Sequence, residues 1–352
     1  MIEPVAQLRS MQAYALADLH PQLQSLAQNE SFLPVSPRAL RAGQLALQQS
    51  ALYPDPDWSE CRAALADAYS VAGERIVCGT GSMELIAALL RAYVAPDQDV
   101  VGSQYGYAFV ATVCQQIGAR YLLAPEPSLM LIVDAILNCV TANTRVVFVC
   151  NPGNPTGTRI ANSEIIRLRD ALDDSILLIV DQAYGEFDPQ DHQSVFALTD
   201  RANTAITRTL SKAYCLAGQR VGWSVLHESM AADVRKLINP NNVTGVAQAM
   251  ASAAVQDQAH LRFVVESTAA QRQALVQQLP EQSLHLPLSY TNFQLLQFAS
   301  TQLAGRVDQS LRQSGLLLRP VSGSGLPDCL RVTIGTAAQM QQVASTIDEV
   351  LS

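Results

Sequence analysis

The chain has 352 residues, 49% hydrophobic and only 15% charged, so it can bury a large core and should divide into about two domains. A net charge of -8 without any basic run excludes nucleic acid as a partner; no apolar stretch approaches the roughly 20 residues of a bilayer span, and MIEPVAQLRSMQAY lacks the order of a signal peptide, which leaves no membrane role and makes the cytoplasm the expected compartment. Seven cysteines and five histidines stand singly, without C-x-x-C or short Cys/His spacing, which argues against a disulfide framework, a metal site or a Ser-His-Asp hydrolase.

Residues 1–45, with the extended FLPVSP, are expected to form an arm that packs on the C-terminal part of the chain or on a neighbouring subunit. From about 60 to 226, helical and β-rich segments alternate. WSECRAALADAYSVA has helical spacing, RIVCGT is a strand ending at glycine, SMELIAALLRAYV is helical, and DVVGS is a short strand. Helix FVATVCQQIGA, strand RYLLAP, helix SLMLIVDAILNCV and the continuous apolar strand RVVFVCNP follow, then helix SEIIRLRDALD and strands ILLIVDQAY, TAITRTLS and VGWSVLH. This alternation predicts βαβ units, and hence an α/β domain over 46–240 whose mostly parallel sheet is covered by helices on both faces. After NPNNVTG the pattern changes to one long helix over about 246–279 and then to strands LSYTNFQLLQF, GLLLRPV and CLRVTIG. With the helix-like TQLAGRVDQSLRQS and AAQMQQVASTIDEVL these predict a smaller α+β domain over 241–352.

The polar residues at the strand ends are Thr80 and Gly81, Asn151, Asp181 and Ser211. They should converge, because in open α/β sheets the ligand crevice lies outside the carboxyl ends of the strands. In CGTGSMEL the first-turn amides of Gly81, Ser82 and Met83 are suited to an anion, although many βα turns contain glycine for tightness alone. NPGNPTGT, with two Asn-Pro units and two glycines after a buried strand, describes a rigid polar loop that presents Asn154 at the sheet edge. VDQAYGEF puts Asp181 at the end of an apolar strand with Tyr184 three residues on. A lone carboxylate there needs a cation or a protonated ring nitrogen, unless it merely caps a helix. Only two lysines stand among 23 basic residues, Lys212 and Lys236. Lys236 sits beside Arg235 as a helix-face cation would. Lys212 lies among small and apolar residues in TLSKAYCLAGQR, where an amine can lose its proton and attack a carbonyl, which guanidinium cannot do; a surface loop would also tolerate it.

In order, the Gly-Ser turn, Tyr107, Asn154, Asp181, Tyr184 and TLSKAYCLAGQR resemble the pyridoxal-phosphate enzymes of fold type I, in the class I/II aminotransferase family. The resemblance runs from NES at 29 to CLRVTIGT at 329, and within the family the closest pattern is that of the histidinol-phosphate aminotransferases. It implies the PLP-dependent transferase fold, a large domain with a mostly parallel seven-stranded sheet between helices plus a smaller α+β domain. It also implies pyridoxal 5'-phosphate as cofactor, with amino acid and 2-oxo acid substrates. By resemblance, Lys212 holds the coenzyme covalently and later moves the substrate's proton. Asp181 pairs with the ring nitrogen, Asn154 and Tyr184 hydrogen-bond the ring oxygen, and Tyr107 stacks on the ring. The phosphate sits among the Gly81, Ser82 and Met83 amides, Thr209, Ser211 and Arg220, with Tyr53 reaching it from the other subunit of a homodimer with shared sites. Arg331 matches the α-carboxylate binder, and Asn29 and Glu30 match the substrate entrance; Arg319, one strand earlier, is expected either in the same cleft or on the surface as an ordinary arginine.

Three departures stand out: Met83 for an acidic residue, Gln182 for a Glu that often follows the Asp, and Val110 for a second tyrosine. They leave the coenzyme chemistry intact and suggest an amino donor or acceptor other than histidinol phosphate. The expected reaction is transamination. A decarboxylase or oxidase on the same scaffold is the alternative, and a non-catalytic coenzyme-binding subunit is a third reading, one that the intact Lys212, Asp181, Tyr184 and Arg220 set argues against.

Overall fold

The computed structural model describes residues 2–9, 11, 20–190, 192–280 and 283–352. A two-residue strand, β1 (Gln24–Ser25), opens the order of strands, and β2 (Ile76–Gly79), β3 (Asp99–Ser103), β4 (Arg120–Ala124), β5 (Thr144–Cys150), β6 (Leu177–Asp181), β7 (Thr204–Thr209) and β8 (Gly222–Val225) follow. β2 to β8 form one seven-stranded sheet in the order β2-β8-β7-β6-β5-β3-β4. Only β8 runs against its neighbours. The central strands are apolar on both faces because helices cover both: Val146, Val147, Leu178, Ile179, Val180 and Ile206 are fully buried. At about 1.5–3 kcal/mol for each such side chain, this layer is a large part of what opposes chain entropy.

The C-terminal part adds β9 (Leu284–His285), β10 (Phe293–Phe298), β11 (Leu316–Leu317), β12 (Arg319–Pro320) and β13 (Cys329–Thr333). Antiparallel pairing gives a four-stranded sheet, β12-β13-β10-β9, and β11 instead pairs in parallel with β1. Helices Gln258–Gln278, Thr301–Gln313 and Ala337–Leu351 accompany this sheet, and a second core forms around Leu296, Val307, Leu311, Val332 and Ile347.

Several boundaries differ from expectation. The long helix over 246–279 is two helices, Gly245–Gln256 and Gln258–Gln278, broken at Asp257, whose carboxylate accepts the His260 amide and the Ser36 hydroxyl. The first of the two belongs by packing to the larger core, through Ala247, Met250, Ala251, Ala254 and Val255 against the helices Pro37–Ala46 and Ser59–Tyr69. By packing, this helix thus joins the larger core although it follows residue 240. The N-terminal arm divides likewise: Leu26 enters the smaller core, whereas Ala39 enters the larger. The helix expected over SLMLIVDAILNCV shrinks to Val133–Asn138, because Ser128 and Leu129 take left-handed backbone angles after Pro127. GLLLRPV splits in two as its halves pair with different sheets. No helix among the described residues is long and apolar enough to cross a membrane.

Candidate active site

Asp181 is the last residue of β6 and only 4% exposed. Its backbone continues the ladder, its C=O accepting the Asn151 amide at 3.0 Å while the Gln182 amide reaches Thr207 O at 2.8 Å. The Thr207 hydroxyl donates to Oδ1 at 2.8 Å and the Cys150 thiol to Oδ2 at 3.5 Å. Burial pushes the carboxyl up to about 6, with those two donors and the Ala183 amide opposing it. Tyr184 lies one turn on, buried, edge-on to Phe293 with ring centroids 5.2 Å apart. Burial pushes its hydroxyl up to about 12, against the nearby Arg331 and a hydrogen bond from Asn29 Nδ2 at 2.7 Å.

Asn29 joins the two halves of the molecule. Its amide donates to Thr333 Oγ1 at 2.9 Å, and its carbonyl accepts Asn292 Nδ2 and Lys212 Nζ, both at 3.0 Å. Its φ of 54° is a left-handed conformation that asparagine tolerates better than most residues. Lys212 follows β7, donates also to Gln28 O at 3.2 Å, and holds Nζ 6.0 Å from the centre of the Tyr184 ring. Burial lowers its amine to about 7; Arg331 and Arg220 push the same way, and the exposed Glu30 opposes them.

A second cluster gathers at the start of the helix Ser82–Tyr93. Gly81, with φ of 83°, precedes its first turn, so the Ser82 and Met83 amides open that helix. A Cβ on Gly81 would stand 2.6 Å from Arg220 Nη2, and one on Gly222 would stand 2.2 Å from the Ser82 nitrogen. Glycine at both positions is what lets the guanidinium and β8 approach the helix end. Arg220 Nη1 donates to Ser211 Oγ at 3.3 Å, and Thr209 Oγ1 donates to the same oxygen at 2.9 Å. Backbone amides, two hydroxyls and a guanidinium at a helix N-terminus make an anion cradle.

The loop after β5 is closed by Asn151, whose side chain accepts the Ile160 amide at 2.9 Å and donates to Ile160 O at 3.1 Å. Asn154 thereby faces Arg331 from β13, whose Nη1 donates to Asn154 Oδ1 at 2.6 Å and whose Nη2 donates to Ala27 O at 2.7 Å. Arg319 is the cross-strand neighbour of Arg331. The Tyr107 backbone amide approaches the Cys150 thiol, which itself meets Asp181 Oδ2. Tyr184, Asn29 and Lys212 are thus joined by hydrogen bonds, as are Arg331 and Asn154; Arg331 and Asp181 act on Tyr184 electrostatically, and Gly81, Ser211, Thr209 and Arg220 form the second group. Tyr53 stands apart, 89% exposed on the loop before Ser59–Tyr69. The sequence reading missed Thr207, Cys150, Asn292 and Thr333. Thr207 and Cys150 carry a signal in hindsight, since both lie in register with Asp181 on adjoining strands.

The family Aminotransferase class I and II matches residues 21–347. The histidinol-phosphate aminotransferase of Paramagnetospirillum magneticum is 37% identical over 328 residues, 92% of this chain and 90% of that protein. That of Dinoroseobacter shibae is 38% identical over 312 residues, covering 89% and 86%. Among solved structures, histidinol-phosphate aminotransferase from Sinorhizobium meliloti in complex with pyridoxal-5'-phosphate superposes with a TM-score of 0.87 at 27% identity, over 93% of this chain and 90% of that one. A Thermus thermophilus aspartate aminotransferase double mutant, 17% identical with a TM-score of 0.83 over 94% and 92%, shares the fold. With the family match spanning nearly the whole chain and relatives above 35% identity along most of it, this chain belongs to the class I and II aminotransferases, pyridoxal-phosphate-dependent enzymes of amino-group transfer.

Proposed function

We propose that the two clusters form one coenzyme site, in which this aminotransferase moves an amino group between histidinol phosphate, or an amine of that class, and a 2-oxo acid. The observation that carries the reading is Lys212, an amine lowered to about 7 by burial within a site that also contains a buried carboxylate and an anion cradle. Pyridoxal 5'-phosphate fits that donor set: an aldehyde for the amine, a basic ring nitrogen for the acid, a phosphate for the cradle. Bound there, it supplies a carbonyl that takes up an amine and a ring that accepts the electron pair left at Cα.

The chain's own groups do the rest. Arg220, Ser211, Thr209 and the Ser82 and Met83 amides hold the phosphate; the Gly81 amide, expected to join them, is instead donated to Gly79 O at 2.8 Å. Asp181 keeps a proton on the ring nitrogen. Tyr184 donates to the ring oxygen, as does Asn154 Nδ2, because Arg331 occupies Oδ1. Tyr107 covers the ring face. Lys212, with a pKa near neutrality, would take the proton from the substrate's Cα and return it to the former aldehyde carbon of the coenzyme, two bonds away. Arg331 pairs with the carboxylate of the 2-oxo acid, Arg319 and the exposed Glu30 line the entrance, and Asn29, expected beside them, is buried and holds the Tyr184 hydroxyl instead.

Two of the three departures that pointed away from histidinol phosphate lose that meaning in three dimensions. Gln182 turns its Oε1 to Arg208, 3.2 Å from Nη2, and Val110 is fully buried in the larger core. Neither side chain is free to select a substrate. The test is a set of half-reactions on coenzyme-loaded protein, followed by its visible absorbance as histidinol phosphate, glutamate, aspartate and aromatic amino acids are added one at a time. Histidinol phosphate and one acidic amino acid are expected to convert the coenzyme fully to its amine form. No response to histidinol phosphate would overturn the substrate, and CO₂ release or O₂ consumption would overturn the reaction.

We further propose a homodimer in the cytoplasm. Leu45, Leu47, Leu52 and Tyr53 are 59–89% exposed within nine residues, an apolar surface that a second copy would cover, and seven free thiols suit a reducing compartment. Tyr53 would then reach the partner's phosphate site. Mixing Tyr53→Ala with Lys212→Ala protein under subunit exchange should restore up to about a quarter of wild-type activity, since random pairing leaves half the dimers mixed, each with one intact site; proven exchange without recovery would show self-contained sites. As a functional division we propose the arm 1–45, the coenzyme domain 46–240 and the small domain 241–352, with helix Gly245–Gln256 riding on the coenzyme domain.

A further inference from the structure

Strand register arranges an unusual row across the main sheet. Cys150 on β5, Asp181 on β6, Thr207 on β7 and Ser224 on β8 are successive register partners, so their side chains share one face. The row one residue back, Val149, Val180, Ile206 and Val225, is apolar and buried. Thr207 is fully buried in strand interior, where an unpaired hydroxyl would be destabilising, and its hydroxyl is committed to Asp181 Oδ1 at 2.8 Å. Ser224 does not share this task; its hydroxyl reaches Val77 O at 3.4 Å. Cys150 meets Oδ2 at 3.5 Å, as a weaker donor.

We propose that Thr207 is a positioning residue for amino-group transfer: its hydroxyl, delivered by the neighbouring strand, fixes the Asp181 carboxylate in one orientation and favours its ionised form, leaving Oδ2, whose side-chain partner is a weakly donating thiol, to face the coenzyme nitrogen. This rests on Asp181 being the ring partner. A carboxylate buried as deeply as this one is pushed towards its neutral form, and a neutral acid cannot hold a cationic ring. The titratable groups facing it are Cys150, whose thiol burial raises well above its ordinary value, and Tyr184, pushed up to about 12, so both stay uncharged through the working range. A hydroxyl donor is therefore the main local means of keeping the acid charged before the ring arrives, and the Cys150 thiol and the Ala183 amide add to it.

The test compares Thr207→Val, close in shape but without the donor, with Thr207→Ser, which keeps it. For coenzyme-loaded Thr207→Val the acid limb of the kcat profile should move up by about one pH unit, with kcat at pH 7 falling roughly tenfold and KM little changed. Thr207→Ser should restore the wild-type limb. In coenzyme-free protein the stability difference between Thr207→Val and wild type should widen from pH 4 to pH 8, whereas a purely structural role gives a difference independent of pH. Thr207→Ala carries the same test should the valine variant not fold. An unmoved acid limb together with a pH-independent stability difference overturns the proposal. If Asp181→Ala itself keeps its turnover, the ring-partner reading has failed; if Asp181→Ala is inactive while Thr207→Val behaves as wild type, only the role of Thr207 has failed.

Discussion

Lys212→Ala is expected to lower turnover by on the order of 10⁴-fold or more, because one side chain both holds the coenzyme and carries the substrate proton. Lys212→Arg should fare no better although it keeps the charge, since a guanidinium neither loses its proton near neutrality nor attacks an aldehyde. Both variants should lose the covalent link that reduction with borohydride makes permanent, which mass measurement of the reduced protein reads directly. The wild type adds a sharper expectation. With the amine lowered to about 7 by burial, its uncharged, reactive form predominates above that pH and disappears below it. Coenzyme capture by the free protein should therefore rise between pH 6 and 8 with a midpoint near 7. A midpoint near 10, the ordinary lysine value, would mean that the amine is solvated and not part of a buried site.

The order of elements in the large sheet was legible because parallel strands covered on both faces read as unbroken apolar runs, such as RVVFVC and LLIV, and the punctuation between them is glycine, proline and asparagine. Lys212 was legible for a chemical reason, its isolation among arginines. Boundaries failed where tertiary contact overrode local pattern. Helical periodicity continues through Asp257, yet Ser36, from 221 residues away in sequence, donates to its carboxylate at 2.6 Å and the helix restarts there. The contacts of Asn29 were not legible in the sequence, because its partners Thr333, Tyr184 and Asn292 lie 155 to 304 residues off. Thr207 was missed for a different reason. A threonine inside TAITRTLS reads as an ordinary β-former, and only the register of three strands shows that its hydroxyl meets the acid. The departures at Gln182 and Val110 show the converse error, for nearness in sequence to site residues suggested a bearing on substrate that burial removes.

Asp181→Asn should separate function from stability in opposite directions. With coenzyme bound, turnover should drop by on the order of 10²–10³-fold, because the amide cannot keep a positive charge on the ring at the moment the Cα electron pair moves into it. Coenzyme should still bind through the phosphate cradle and Lys212. In the coenzyme-free protein the same change should raise stability. The folded carboxyl sits at about 6 and the unfolded one near 4, so the native state binds the proton more tightly. As pH rises through 4 to 6 the wild type loses stability, approaching a penalty of about 3 kcal/mol above 6, and regains it only below the unfolded value, where both states are protonated. Asparagine has no such charge to bury, and its amide oxygen can still accept the Thr207 hydroxyl. Its melting temperature should exceed that of the wild type at pH 7–8, and the two should converge near pH 4. Added coenzyme should then reverse the ranking at neutral pH, since its cationic ring gives the wild-type carboxylate the partner that the folded chain withholds. A wild type already more stable than Asp181→Asn without coenzyme would mean that the acid is paired within the protein and is not held ready for a ring.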